Sequence, residues 1–381
     1  MKIVQTPVRF YPFTGGVENY VYDLSKELVR RGHDISVICA NEPKSKKEEV
    51  INGIRVKRIS FAGKISNTNI TPGLPFELLR EDFDLIHAHL PTPWSADWSA
   101  IISIIKRKPL VLTYYNDIVG YDSASRLAQL YNHTSLHIVL KRANRIIIIQ
   151  PNYLHMSPYL REYGDKIEVI SAGVDVDKFR PIEGPLEKEL HSPTLFFLSV
   201  LDRYHKYKGL DDLLRALAIV KAKINDVKLV VGGDGALLNH YRNASNALGL
   251  EQNVDFVGFI PDDAIVRRYN ECDMFVLPSL SPEQEGFGMV LLEAMACGKP
   301  VVSTEIVGVA EDIKRTGAGI IVERGNVESL AQAILDLLQN RDLAVKMGAV
   351  GRKLVEENYN WGEVAKRFEH VYRDLLSTTT P

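Results

Sequence analysis

The chain has 381 residues, more than the roughly 250 to 300 at which a single hydrophobic core stops growing, so the length predicts two domains. Hydrophobic residues make up 45% and charged residues 25%, as in an ordinary globular protein, and a formal net charge of −2 argues against a nucleic-acid partner. Neither a signal peptide nor a membrane-spanning run stands out, so we expect a cytoplasmic protein. The cysteines are few and scattered, which fits reduced core thiols better than disulfides or a zinc site.

Apolar strand-like runs alternate with amphipathic helical segments, a pattern that predicts an α/β fold with parallel sheets. In the first half the predicted strands cover residues 2–5, 34–39, 85–88, 110–113, 145–149 and 167–170. The first crossover helix is predicted from apolar residues that share one helical face, namely Val17, Tyr20, Val21, Leu24 and Leu28.

A second series of strands follows a Pro/Gly-rich stretch at 179–185 that is typical of a linker. Its predicted strands cover residues 194–200, 228–231, 254–256, 274–277, 301–303 and 319–322, with helices such as 210–222 and 329–338 between them. The chain therefore predicts two Rossmann-like domains. We place them at 1–183 and 184–360, and an amphipathic helix begins at residue 361.

The loop 201–209 follows the first strand of the second half and carries the cations Arg203, Lys206 and Lys208, of which Arg203 and Lys208 are the key pair. Open α/β sheets bind their ligands at the carboxyl ends of the strands, where Arg203 and Lys208 are expected to lie. Together they could neutralise the charge that a nucleoside diphosphate develops as a leaving group. The alternative is a solvated basic loop.

In the segment 278–302, the carboxylates of Glu285 and Glu293 lie on either side of a glycine-bearing turn. Glu285 precedes Gly286, Phe287 and Gly288, and Glu293 lies in the helix that this turn starts. Amides at the helix entrance can bind an anion, and the two carboxylates can accept hydrogen bonds from hydroxyl groups, an arrangement that suits a sugar nucleotide. The alternative is a surface loop and an ordinary core helix with both Glu residues solvated.

Two further glycine turns follow predicted strands. Gly15 and Gly16 open the first helix and predict an anion-binding turn, although a plain tight turn would use the same residues. Gly233 and Asp234 lie in a turn that is equally well explained as a simple βα connection.

Polar side chains also end the strands of the first half. His87 and His89 are two residues apart and share one face of a strand, with too few further ligands nearby for zinc, so they are either packed core histidines or part of an acceptor site. Asp175 and Asp177 lie in a turn before the linker, and we reject them as a metal-binding Asp-x-Asp pair.

Taken as a whole, the segment 278–302 resembles the signature of retaining GT-B glycosyltransferases of the family 4 type, the glycosyl transferases group 1, in which two Glu flank seven residues. The resemblance implies two domains that face each other across a cleft, with a C-terminal helix, here 361–381, crossing back to the first domain. It implies that Glu285 binds the donor sugar and Glu293 the ribose. It also implies that Arg203, Lys208 and the amides of residues 286–288 bind the donor diphosphate.

The resemblance also brings the glycine turns close to the donor, through Gly16, Gly233 and Asp234. At residue 115 the chain departs from the family, since many relatives have a histidine there and this chain has tyrosine. Tyrosine can donate a hydrogen bond but carries no imidazolium charge at neutral pH. We therefore keep His89, Tyr115 and Asn116 as candidates on the acceptor side.

The resemblance implies a UDP- or GDP-sugar as co-substrate, no further cofactor and no metal, and a glycan, lipid-linked or small-molecule acceptor. The alternatives are a nucleotide-sugar epimerase of the same fold and a non-catalytic nucleotide-sugar-binding partner, which Tyr115 favours. The apolar and basic segments 101–108 and 136–145 are candidates for peripheral contact with the inner face of a membrane, against the alternative of a buried helix or strand edge.

Overall fold

A computed structural model describes residues 1–13, 15–65, 67–118, 124–182, 192–282 and 284–378. The chain divides into two compact units. Unit 1 comprises Met1–Gly173 and Trp361–Pro381, and unit 2 comprises Val174–Asn360.

The elements of the first stretch of unit 1 are β1 Lys2–Thr6, α1 Gly16–Arg30, β2 Asp34–Ala40, β3 Glu48–Ile51, β4 Ile54–Ile59, β5 Gly63–Ile65, β6 Thr68–Ile70, α2 Leu74–Arg80, β7 Leu85–Leu90, α3 Ser95–Ile105, β8 Leu110–Tyr114, α4 Ala124–His133, α5 Ser135–Arg142, β9 Arg145–Ile148, α6 Tyr153–Met156, a 3-10 turn Arg161–Lys166 and β10 Ile167–Val169. Unit 2 contains β11 Thr194–Leu198, a 3-10 turn Lys206–Lys208, α7 Leu210–Lys221, β12 Lys228–Gly232, α8 Leu238–Ala247, β13 Val254–Gly258, α9 Ile265–Glu271, β14 Met274–Leu277, α10 Met289–Ala296, β15 Val301–Thr304, α11 Ala310–Thr316, β16 Gly319–Val322, α12 Val327–Gln339 and α13 Arg341–Asn358. The chain then returns to unit 1 with α14 Trp361–Thr378.

Unit 2 is built on one parallel sheet with the strand order β13-β12-β11-β14-β15-β16. Counted within the unit this is the order 3-2-1-4-5-6 of a doubly wound nucleotide-binding sheet. The chain reverses its winding direction between the neighbouring strands β11 and β14, and such a switch point opens a crevice at the carboxyl ends of the strands. The topology therefore marks the loops after β11 and β14 as the place for a ligand.

Unit 1 has an eight-stranded sheet in the order β10-β9-β8-β7-β1-β2-β4-β3, while β5 and β6 form a separate hairpin. Every neighbouring pair is parallel except β3 with β4. Apolar side chains of α2, α3 and α5 share one core with alternate residues of the central strands. The winding reverses between β1 and β7, so this sheet has its own switch point there.

Helix α14 packs against α1 in unit 1. Its buried residues recur every three or four positions and include Trp361, Val364, Phe368, Val371, Tyr372 and Leu375. Burying each large apolar side chain contributes roughly 1.5 to 3 kcal/mol, so the helix is held mainly by this stripe. An ion pair at 2.6 Å joins Arg31 to Glu369, and the hydrogen bond from Arg31 lowers the pKa of that carboxyl to about 2.

The α/β fold predicted from the sequence is confirmed, but strands β3 and β4 were not predicted. In β4, residues alternate between buried and more exposed positions, with Arg55 and Lys57 on the outward side. The prediction looked for continuous apolar runs, which are typical of strands buried on both faces, and such runs do not occur in a strand near the edge of a sheet.

The boundary between the units also differs from the predicted one. The sequence placed the first domain at 1–183, whereas the compact units divide after Gly173. The Arg352 guanidinium donates hydrogen bonds to the Phe179 carbonyl at 2.8 Å and the Val176 carbonyl at 3.2 Å, which ties this segment to α13. Residues 183–185 of the predicted linker lie outside the described residues.

Candidate functional site

A buried ion pair occupies the switch point of unit 2. The Lys208 ammonium donates to both oxygens of Glu285, at 2.9 and 2.7 Å, and the Ser279 hydroxyl donates to Oε2 at 2.6 Å. The side chain of Glu285 is only 2% exposed and that of Lys208 16%. Two residues 77 positions apart, predicted separately, thus meet directly at the carboxyl ends of β11 and β14.

Close backbone packing fixes the loop that carries Lys208. Gly209 links the short 3-10 turn to α7 with φ of 80°, a left-handed conformation that glycine adopts at little cost. A Cβ atom on Gly209 would overlap the carbonyl oxygen of Pro278. The Leu280 amide also donates to the Tyr207 carbonyl at 2.7 Å, so the loops after β11 and β14 are held together on both sides of the ion pair.

The turn that enters α10 is fixed in the same manner. Gly288 has φ of 88° and is the N-cap of the helix, and the Gly308 amide donates to the Phe287 carbonyl at 3.1 Å. The first amides of a helix have no partner within it and point outward from its N-terminus. The Phe287 side chain is buried, 5.8 Å from the ring of Tyr359, so this predicted donor-binding residue has a packing side chain and can offer a ligand only its backbone.

Glu293 is oriented by a buried tyrosine from α9. The Tyr269 hydroxyl donates to Glu293 Oε2 at 2.6 Å. Burial and the neighbouring carboxylate hold the pKa of Tyr269 well above its usual value, so the hydroxyl keeps its proton and remains a donor. The carboxylate of Glu293 is half-buried at the middle of α10, with one oxygen committed to this bond.

Arg203 lies on the same loop as Lys208 but has a different environment. Its side chain is exposed, its guanidinium carbon lies 4.6 Å from the Tyr204 ring centre, and it donates to the Tyr204 hydroxyl. The loop before it is shaped by Asp202, whose carboxylate accepts from the Tyr204 and His205 amides at 2.9 Å. The structure thus gives Arg203 a defined position on the loop, outside the Lys208–Glu285 contact.

The turn after β12 packs against the loop after β11. Gly233 has φ of 116°, and a Cβ there would overlap the Ser199 carbonyl oxygen. The Leu201 amide donates to the Asp234 carbonyl at 2.9 Å, and the exposed Asp234 carboxylate accepts from the Gly235 amide at 2.7 Å. Glycine is therefore required at position 233 because the backbones at the ends of β11 and β12 approach each other closely.

In unit 1 the predicted polar candidates belong to a buried hydrogen-bond network. His89 Nε2 lies 2.7 Å from Gln5 Oε1, and Nδ1 lies 3.0 Å from the Tyr115 hydroxyl. An amide oxygen only accepts, so Nε2 carries the hydrogen and Nδ1 accepts from Tyr115. Burial and the adjacent His87 hold the pKa of His89 well below its usual value, and the ring is therefore neutral at pH 7.

His87 extends this network to the C-terminal helix. Its Nε2 lies 2.7 Å from the Thr113 hydroxyl and its Nδ1 2.8 Å from the Tyr372 hydroxyl on α14. Burial lowers the pKa of His87 to about 3. Two neutral histidines on one strand thus connect β1, β8 and α14 inside unit 1.

These contacts change the interpretation of the acceptor-side candidates. His89 is fully buried and could influence a ligand only through Tyr115, whose own side chain is 8% exposed. Asn116 follows the end of β8 and is half-buried. Gly16 is the exposed first residue of α1, and a Cβ there would meet no atom within 4 Å, so packing alone does not require glycine at this position.

Family models identify both halves of the chain. The model described as Glycosyltransferase Family 4 matches residues 14–178, and the model described as Glycosyl transferases group 1 matches residues 185–354. The chain belongs to this family of glycosyltransferases. The predicted membership, made from the segment 278–302, is confirmed.

The chain is also similar to individual glycosyltransferases of known sequence or structure. The GDP-mannose-dependent alpha-(1-6)-phosphatidylinositol monomannoside mannosyltransferase of Mycobacterium tuberculosis is 31% identical over 217 residues, which cover 54% of this chain and 56% of that protein. The chain thus matches about half the length of this relative. O-antigen chain mannosyltransferase C of Escherichia coli is 27% identical over 99% of this chain and 100% of its own length. HepE of Anabaena, solved in complex with UDP, superposes with a TM-score of 0.78 at 21% identity, covering 98% of this chain and 100% of that chain, which confirms the GT-B fold.

The sequence did not point to two residues that hold the carboxylates of Glu285 and Glu293. Ser279 donates to Glu285 and Tyr269 donates to Glu293. Ser279 follows β14 at the switch point, so its position at a strand end could have identified it. Tyr269 lies in a helix 24 positions before its partner, and no local pattern predicts that contact.

Proposed function

We propose that the protein transfers a hexosyl group from a UDP- or GDP-sugar to a glycan, lipid-linked or small-molecule acceptor. The observation that carries this proposal is the Lys208–Glu285 pair, buried and held by Ser279 at the switch point of the unit 2 sheet. A carboxylate neutralised by a lysine can hydrogen-bond sugar hydroxyls without repelling the phosphates of the same donor. The activities that the mannosyltransferase relatives are named for favour a mannose donor and a lipid-linked or polysaccharide acceptor.

In the proposed reaction, Lys208 and Arg203 stabilise the charge of the leaving nucleoside diphosphate, assisted by the amides at the start of α10. Glu285 binds the sugar hydroxyls and Glu293 the ribose. The acceptor oxygen bonds to the anomeric carbon as the bond to the diphosphate breaks on the same face, and the acceptor proton passes to the leaving phosphate oxygen. The anomeric configuration is thereby retained, and we propose that no metal or further cofactor takes part, because the cations of the chain supply the positive charge.

A thermal-shift screen with common UDP- and GDP-sugars tests this function, since a ligand that binds the folded state stabilises it by RT ln(1 + [L]/Kd). We expect a stabilising shift with one of these donors that Lys208→Ala removes, followed by transfer to an added acceptor. Turnover of the donor to a second nucleotide sugar without an acceptor would instead identify an epimerase. Binding with neither transfer nor slow donor hydrolysis would identify a non-catalytic partner.

The cellular location belongs to the same proposal. We propose that the protein acts in the cytoplasm, at the inner face of the membrane where its acceptor is lipid-linked. Within the described residues, no helix has both the length and the apolar character needed to cross a bilayer.

A further inference from the structure

A histidine on the loop after β11 is oriented by an aspartate. His205 Nδ1 lies 2.8 Å from Asp202 Oδ1, and the His205 side chain is 37% exposed. Burial alone would raise the pKa of Asp202, but the hydrogen bonds and the charge of His205 outweigh it and lower the pKa below its usual value. An ionised carboxylate only accepts, so Nδ1 carries a hydrogen. The other ring nitrogen, Nε2, has no hydrogen-bond partner among the described residues.

The imidazole of His205 is not needed to shape this loop. The Asp202 carboxylate also accepts from the amides of Tyr204 and His205, both at 2.9 Å. The Lys208 amide donates to the His205 carbonyl at 3.0 Å. These bonds use only the backbone of residue 205, so another side chain at this position would keep them. An oriented ring with an open nitrogen therefore indicates a role toward a ligand.

His205 is close to the Lys208 ammonium. Both lie against the Tyr207 ring, the His205 ring with its centre 6.2 Å from that of Tyr207 and the Lys208 ammonium at 5.1 Å. At the start of the same loop, the backbone packs on the turn after β12, where a Cβ on Gly235 would approach the Asp202 amide to 3.1 Å. His205 thus belongs to the carboxyl ends of β11 and β12, where the sheet topology places a ligand.

The loops at this edge of the sheet carry more negative than positive charge. Those that follow β11, β12 and β14 before the next helix are residues 199–209, 233–237 and 278–288. Together they contain three Lys or Arg and four Asp or Glu, a formal charge of −1 with histidine neutral. A nucleoside diphosphate is itself an anion, so further positive charge in these loops would favour its binding.

Two of the three cations in these loops are already neutralised by carboxylates. Lys208 pairs with Glu285 at 2.7 Å. Lys206 lies 3.5 Å from Asp211, near the start of α7. His205 is the one histidine in the sequence of the three loops, and a histidine side chain can gain a positive charge near neutral pH. It is therefore the group that can add a cation to this edge.

We propose that His205 is a further leaving-group residue of the proposed transfer, donating Nε2–H to a β-phosphate oxygen of the nucleoside diphosphate while Asp202 positions the ring. An imidazolium there adds to the charge of Arg203 and Lys208 where the bond to the anomeric carbon breaks. The electron pair of that C–O bond goes to the diphosphate oxygen. His205 keeps its proton, since the acceptor supplies the one that the leaving phosphate takes. This inference rests on the proposed function.

Titration of the full chain with UDP and GDP tests the contact, with UMP and GMP as references that lack the β-phosphate. His205→Gln should raise the Kd of the diphosphate that binds wild type by about ten-fold, and that of its monophosphate by less than about two-fold. A general loss of packing would weaken both ligands equally. His205→Arg keeps a cation with N–H donors and should restore the diphosphate Kd to within about three-fold of wild type.

His370→Gln is the matched control, because His370 also pairs with an aspartate, Asp374 at 3.4 Å, but lies on α14. It should change neither Kd, and equal melting temperatures would show that all three variants are folded. The inference is wrong if His205→Gln leaves the diphosphate Kd unchanged or weakens the monophosphate equally, or if His205→Arg does not restore binding. A wild-type chain that binds neither UDP nor GDP would overturn the proposed function and this inference with it, whereas wild-type binding that His205→Gln does not weaken overturns this inference alone.

Discussion

In unit 2 the buried Glu285 carboxylate meets the Lys208 ammonium at a strand switch point, whereas in unit 1 the buried histidines of β7 meet hydroxyls and an amide. The first arrangement is an ion pair between two loops. The second is a neutral network that joins strands to α14. A buried charge that rigid loops hold in place is preorganised to bind a ligand. Neutral hydrogen bonds inside a core mainly stabilise one packing arrangement. We therefore propose that the Lys208–Glu285 pair of unit 2 takes part in the chemistry, whereas the histidine network of unit 1 stabilises the fold.

The largest expected effect comes from breaking the ion pair. Lys208→Ala should lower the transfer rate by about 100- to 1000-fold, because a cation aimed at the developing charge of the leaving group is lost. Single-turnover transfer from the donor found in the thermal-shift screen measures this. Lys206→Ala is the matched control, since Lys206 is an exposed lysine of the same 3-10 turn, and it should change the rate by less than about three-fold.

Loss of folding must be separated from loss of chemistry in that experiment. Lys208→Ala leaves Glu285 buried without its cation, and breaking a buried pair costs about 3 to 5 kcal/mol. The double variant Lys208→Met/Glu285→Gln removes both charges at similar volume and should recover most of that stability while remaining inactive. A double variant that transfers sugar at the wild-type rate would exclude the pair from the reaction.

The second effect tests whether the loops of unit 2 are as rigid as the ion pair requires. Gly209→Ala forces a Cβ into the Pro278 carbonyl in a left-handed conformation, and we expect a loss of at least about 3 kcal/mol in the free energy of unfolding. Gly325 also has a left-handed φ of 73°, but a Cβ added there would meet no atom within 4 Å. Gly325→Ala should therefore lower the free energy of unfolding by only about 1 kcal/mol. Urea denaturation midpoints compare the two, and equal midpoints would show that the loops adjust.

The third effect tests the neutral network of unit 1. Burial lowers the pKa of His87 to about 3, so between the ordinary pKa of 6.5 and that value the unfolded chain binds a proton that the folded chain does not. The contribution of His87 to the free energy of unfolding is therefore complete above pH 6.5. It falls by about 1.4 kcal/mol per pH unit as the pH is lowered toward 3.

Denaturant unfolding at pH 7, 6 and 5 measures that slope. His87→Gln should lower the slope by about 1.4 kcal/mol per pH unit and leave the contribution of the neighbouring buried His89. His370→Gln should leave the slope unchanged, because the His370 side chain is 77% exposed. A slope that is the same in wild type and His87→Gln would show that His87 is not held neutral in the folded state.

The sequence predicted the unit 2 group better than the unit 1 network for a physical reason. Glu285 and Lys208 follow strands that a parallel sheet brings together, so their meeting could be expected from strand-end positions and the family resemblance alone. The Tyr372 contact with His87 spans 285 residues and depends on how α14 packs, which no local pattern encodes. The same limit explains why Tyr269 was missed and why the burial of Phe287 was not foreseen. It also explains why the sequence left His89 open between a packed core histidine and part of an acceptor site.

The smallest expected effect compares a serine that donates to a carboxylate of the candidate site with a serine that donates to a backbone carbonyl of the sheet. Ser279 and Ser303 are both fully buried in unit 2, but Ser279 donates to the Glu285 carboxylate at 2.6 Å and Ser303 to the Leu277 carbonyl at 2.7 Å. A bond to a charged acceptor is worth about 1.5 to 3 kcal/mol and one to a neutral acceptor about 0.5 to 1.5. Ser279→Ala should therefore be the more destabilising by about 1 kcal/mol, and it should slow transfer up to about ten-fold because Glu285 loses an orienting partner while keeping Lys208. Ser303→Ala should leave the transfer rate unchanged, and if it slows transfer as much as Ser279→Ala does, the orientation of Glu285 depends on the sheet as a whole and not on this one hydroxyl.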